Sequence, residues 1–156
     1  MRISDYLKKE RIDLGFKVSG TKEDIITSLA QVLKKAREVE DFDKYLSEVF
    51  EREELGTTGI GFGLALPHAR TDAVNNIVVR AARIDEGVDF KSLDGEPVKL
   101  IFLMGTPKSE VQNYLKILSN LTRLLKKELF RTALLESKTP EEFIDIFKRE
   151  EEYEGL

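Results

Sequence analysis

The chain has no cysteine, no tryptophan and only one histidine among its 156 residues. Without cysteine it has no disulfides, thiol nucleophiles or cysteine-ligated metal centres, and this usage suits a cytoplasmic protein. Asparagine and glutamine total six while charged residues reach 35%, the balance of proteins from hot environments. Long apolar runs are missing too: the longest, LIFLM at 100–104, is far too short to cross a bilayer. The opening MRISDYLKKERID is charged throughout and reads as no secretory signal, so the expectation is a chain neither exported nor inserted in a membrane. With a net charge of -4 and a pI near 5.3, no basic stripe invites nucleic acid. No serine or cysteine motif accompanies the histidine, which argues against a hydrolase.

What is present suits one domain with a full core: 41% of the residues are hydrophobic, in a chain too short for two such units. Thr21 precedes Ile25, Ile26, Leu29, Val32 and Leu33, the spacing of a helical face, predicting a helix from about Lys22 to Arg37. Asp41 can cap a second helix with Phe42, Tyr45, Leu46, Val49 and Phe50 on one face, closing at Gly56. Leu64–Leu66 reads as a short buried strand stopped by Pro67, which would leave His68 at its carboxyl end, where open α/β sheets bind ligands. IVVRAARI (77–84) and VKLIFLM (98–104) read as strands, with SLDGEP as the turn between segments. Arg80 and Arg83 interrupt the first of these from opposite faces and suggest a sheet edge.

A long helix after Pro107 fits a stripe of Val111, Leu115, Leu118, Thr122 and Leu125, widened by Leu121 and Leu124, and a further piece runs from Leu129 to Leu135. Thr139, Pro140 and Glu142 open a last helix, with KREEEYEGL as a solvated tail. Helices before and after a strand-rich middle imply an α/β fold.

The chemistry concentrates in GIGFGLALPHAR, residues 59–70. Its glycines at 59, 61 and 63 lack the strand–loop–helix order and the lysine of nucleotide loops, so they read as turn or close-approach positions. His68 ionises near neutrality and can serve as nucleophile or general base, or be a structural residue. Arg52, in EREE at 51–54, suits bidentate phosphate binding or a salt bridge to Glu51 or Glu53. Thr57 and Thr58 can donate hydroxyl hydrogen bonds to a transferred group or cap a turn. Arg70, two residues past His68, falls on the same side of an extended chain.

EREELGTTGIGFGLALPHAR, with LDGEPVKLIFLMGTP and LKILSNLTRLLKK, resembles the EIIA domain of the fructose, mannitol and nitrogen-regulatory type in the bacterial phosphoenolpyruvate-dependent sugar phosphotransferase system. The likeness runs from about Lys22 to about Phe147. It implies a single domain with a mixed β-sheet flanked by helices on both faces, spanning residues 1–156. It also implies a phosphocarrier that takes a phosphoryl group from HPr on His68 and passes it to an EIIB component, with Arg52 at the phosphate and neither cofactor nor metal. Members commonly carry a second histidine near the start of the helix after Pro107; Tyr114 stands there in this chain. Tyrosine donates a hydrogen bond but shuttles protons poorly at neutral pH. This departure supports a second reading, in which phosphorylation controls a regulatory partner.

Overall fold

The computed structural model describes all 156 residues. Six strands form one mixed sheet: β1 (Ile12–Asp13), β2 (Gly59–Gly61), β3 (Leu64–Ala65), β4 (His68–Thr71), β5 (Val78–Val88) and β6 (Val98–Pro107). The spatial order is β1-β5-β6-β3-β2, with β4 paired to the same edge of β6 as β3. β5 and β6 are antiparallel, whereas β3 and β4 both run parallel to β6. Five helices complete the fold: α1 (Lys22–Ala30), α2 (Phe42–Glu54), α3 (Val111–Leu125), α4 (Glu128–Glu136) and α5 (Pro140–Tyr153).

Strand alternation splits the apolar side chains into two cores. Ala65, Ala69, Val78, Ala82, Ile101 and Leu103 face α1 and α2, packing on Ile26, Leu29, Tyr45 and Val49. Leu64, Leu66, Val79, Ala81, Phe102 and Met104 face α3, α4 and α5, packing on Ile117, Leu121, Leu134, Phe143 and Phe147. The result is the sheet covered on both faces that the helix–strand–helix order implied.

The helix starts follow their capping residues. Thr21 and Asp24 form a reciprocal capping box on α1, the Asp41 carboxylate accepts from the Lys44 N–H on α2, and the Thr139 hydroxyl accepts from the Glu142 N–H on α5. Gly105 lets α2 approach the sheet. A Cβ there would lie 2.8 Å from Tyr45 Cε1 and 3.1 Å from Val78 Cγ1. Gly105→Ala is expected to lower stability by about 1–3 kcal/mol through overpacking, measured by denaturant unfolding.

The structure departs from the sequence expectations at several places. The first helix does not reach Arg37: it turns into a 3₁₀ turn at Gln31–Leu33, with Lys34 and Ala36 bonding back three residues. Val32 is left exposed while Leu33 and Ala36 reach the core. Arg80 and Arg83 mark no edge, because β5 lies between β1 and β6. Arg80 Nε instead donates to the Leu29 carbonyl at 3.1 Å, and Arg83 Nη1 to that of Ser137 at 2.7 Å, so each guanidinium ties a helical segment to one face.

The C-terminus is not a solvated tail. α5 runs to Tyr153, Glu151 is fully buried and accepts the Ile3 N–H at 2.6 Å, and Arg2 Nε donates to the Leu156 carbonyl at 2.9 Å. These contacts join opposite ends of the chain, which local charge density cannot reveal.

α3 buries Ile117, Leu121, Leu124 and Leu125, leaving Val111 and Leu115 largely exposed. Its buried face therefore differs from the expected stripe, and Tyr114 lies on it one turn before Ile117.

Candidate functional site

Pro67 interrupts the edge without ending it. Having no N–H, it breaks one rung of the ladder; its carbonyl still accepts from Met104 N–H at 3.0 Å, and pairing resumes as His68 opposite Met104. His68 is therefore the first residue of a second edge segment, not the end of the first. The Leu66 carbonyl, one residue before the proline, accepts from His68 Nδ1 at 2.7 Å.

A carbonyl can only accept, so Nδ1 carries the proton and the neutral ring presents an Nε2 lone pair. Tyr114 Oη lies 3.2 Å from Nε2 and donates to it. The two rings stand 5.7 Å apart at 53°. His68 is only 7% exposed, yet it lines an open cavity of about 480 Å³ between the end of α2 and the start of α3. Arg52, Arg70 and Tyr114 line the same cavity, together with Glu48, Glu51, Glu54 and Leu55.

Arg52 arrives there by helical spacing, one turn past Val49 and two past Tyr45, the buried face of α2. It forms no salt bridge with Glu51 or Glu53; its Nη1 donates to the Gly56 carbonyl at 2.9 Å, tying down the last turn of its own helix. Arg70 shares the His68 side of β4, donates to the Lys108 carbonyl at 3.0 Å and lies 5.8 Å from the Tyr114 ring centre.

The two threonines are turned elsewhere. Thr57 Oγ1 accepts from Lys22 Nζ at 2.9 Å and from the Gly59 N–H at 3.1 Å. Thr58 is buried and its hydroxyl donates to the Glu53 carboxylate. The glycines do not line the cavity either. Gly61 and Gly63, at φ of 100° and 73°, make the β2–β3 turn, and Gly59 packs against Ser92.

Burial is the largest influence on the His68 ionisation and pushes its pKa below the ordinary value of 6.5; the Arg52 charge acts the same way, against the Leu66 hydrogen bond and the Glu53 charge. The ring is thus neutral, and nucleophilic, throughout the neutral range. Followed by NMR, the sole imidazole is expected to titrate with a midpoint below 6.5; a midpoint at or above that value contradicts this electrostatic balance.

A buried imidazole with an unprotonated Nε2, in a cavity that two guanidiniums also line, is chemistry for receiving a phosphoryl group, and the family model for the phosphoenolpyruvate-dependent sugar phosphotransferase system, EIIA 2, matches residues 5–150. The chain belongs to that EIIA family. It is 41% identical over 126 residues to the fructose-specific EIIA component of Haloferax volcanii, covering 81% of this chain and 82% of that one. It is 37% identical over 149 residues to the fructose-specific EIIABC component of Bacillus subtilis, matching 96% of this chain but only 23% of that much longer protein.

Among solved EIIA structures, the nitrogen regulatory protein IIA-Ntr of Neisseria meningitidis superposes with a TM-score of 0.85 at 30% identity, covering 93% of this chain and 98% of that one. The mannitol EIIA of Escherichia coli, solved in complex with its phosphorylated EIIB, superposes with a TM-score of 0.78 at 25% identity over 92% and 97% of the two chains. This EIIA chain thus shares its fold with both the sugar-transport and the nitrogen-regulatory branches. No helix in it is long and apolar enough to cross a membrane.

Proposed function

We propose that the protein is a cytoplasmic phosphocarrier that accepts a phosphoryl group from HPr on Nε2 of His68 and hands it to an EIIB component. The observation that carries this reading is the Leu66 carbonyl on Nδ1, which leaves Nε2 unprotonated and turned to the cavity that Arg52 and Arg70 line.

In the forward step the N–P bond of the donor phosphohistidine, protonated on its other ring nitrogen, breaks as the Nε2–P bond forms, and the donor imidazole departs neutral. His68 keeps its Nδ1 proton against Leu66, so no proton has to move. The transition state is loose, and positioning with charge stabilisation does most of the work. Arg52 supplies a planar fork for the equatorial oxygens, with Arg70 adding charge at the cavity wall. The Tyr114 hydroxyl, which meets the lone pair in the resting state, turns to a phosphoryl oxygen once phosphate is present. A donor suffices in a step without proton transfer, so tyrosine can stand where relatives carry histidine.

The test is transfer of label from phosphorylated protein to a panel of EIIB domains. Transfer to at least one supports the carrier reading. The nitrogen-regulatory likeness motivates the second reading: label retained against every EIIB, together with a partner protein bound only in one phosphorylation state, would replace carrier with regulator.

A further inference from the structure

We propose that Glu53 is a positioning residue for both halves of the site, holding the helix end that carries Arg52 and, through Thr58 and Leu66, the ring of His68. This rests on the phosphocarrier reading above. The Glu53 side chain is only 6% exposed, and its carboxylate accepts from three donors: Lys22 Nζ at 2.9 Å, the Thr58 N–H at 3.1 Å and the Thr58 hydroxyl. Burying a charge this far requires such pairing, yet pairing alone adds little stability over an apolar cluster of the same volume. Its placement is the informative feature.

Two paths lead from that carboxylate to the site. Along α2, Glu53 directly follows Arg52, so clamping Glu53 to Lys22 and Thr58 fixes the last helical turn from which the guanidinium projects. Through the loop, Glu53 fixes Thr58 by both its N–H and its hydroxyl; the Thr58 carbonyl then accepts the Leu66 N–H at 3.0 Å, and the Leu66 carbonyl accepts His68 Nδ1 at 2.7 Å. Each link is one residue long, and a shift at Thr58 reaches the imidazole through two hydrogen bonds. The threonine pair therefore acts behind the histidine, with Thr57 anchoring Lys22 from the other side.

The experiment compares Glu53→Gln, Thr58→Val and Thr58→Ser with the parent chain. It uses single-turnover phosphate uptake from phosphorylated HPr and the ¹⁵N and proton signals of the sole imidazole. Glu53→Gln and Thr58→Val are expected to slow uptake by about tenfold or more and to move the Nδ1–H signal, because a small misplacement of reacting groups is expensive in rate. Glu53→Gln, which removes a negative charge, is also expected to lower the His68 titration midpoint. Thr58→Ser restores uptake and the parent ring spectrum. Uptake within twofold of the parent with an unchanged ring spectrum overturns the proposal, as does a slowing that only tracks the loss of folded protein. Should Glu53→Gln fail to fold, the two Thr58 variants decide alone. If the parent chain takes up no phosphate, the carrier reading falls, while the ring spectra still decide whether Glu53 positions His68.

Discussion

A His68→Ala variant will take up no phosphate from phosphoenolpyruvate, enzyme I and HPr under conditions in which the parent chain labels fully. The chain has no second histidine and no cysteine to substitute as acceptor, and no other group lining the cavity is a neutral nitrogen nucleophile. Tyr114 carries the only hydroxyl among the lining residues, and a neutral phenol is a far weaker nucleophile than an imidazole. The parent's label is expected to be labile in acid and stable in base, as a phosphoramidate is. Leaving the Leu66 carbonyl without its partner costs about 1–3 kcal/mol, so circular dichroism and thermal unfolding should still report a folded variant. Equal labelling of the alanine variant would move the acceptor elsewhere.

Arg52→Lys comes next in expected effect. It keeps the positive charge but removes the planar fork and the donor to Gly56, so it tests geometry separately from charge. Phosphate uptake from phosphorylated HPr should fall by about a hundredfold to a thousandfold, or roughly 3–4 kcal/mol of transition-state stabilisation. Binding of unphosphorylated HPr should change little, because the loss falls on the transferring oxygens. A drop of less than threefold would assign Arg52 to capping its own helix.

Much of this fold was legible because its local signals agree. Thr21, Asp41 and Thr139 each cap the helix they precede, and the apolar runs at 77–84 and 98–104 are the paired central strands. Contacts distant in sequence were less legible. Glu151 looks like one more charge in an acidic run until Ile3 meets it, and Arg80 and Arg83 look like edge residues until their helical acceptors are in place. The face of α3 differs for another reason: Val111 and Leu115 repeat with helical period, but the sheet packs on the neighbouring face, which carries Ile117, Leu121 and Leu124.

Within the candidate site, His68 stood out by residue type, and Arg52 and Tyr114 by their places in the family pattern. The support behind them had no signature, since a backbone carbonyl such as that of Leu66 carries none. A proline just before the histidine marks a break in the ladder, but nothing in the Leu-Pro-His order shows that the ring folds back onto the Leu66 carbonyl. Glu53 was hidden in a charged stretch that reads as solvated surface, and only the fold brings Lys22 and Thr58 to it.

The most direct test of the account is the ¹⁵N spectrum of the phosphorylated protein, labelled at its single imidazole. Phosphate is expected on Nε2, with the Nδ1 proton retained and protected by the Leu66 carbonyl. Phosphate on Nδ1, or a phosphorylated protein whose imidazole is unmodified, would contradict it.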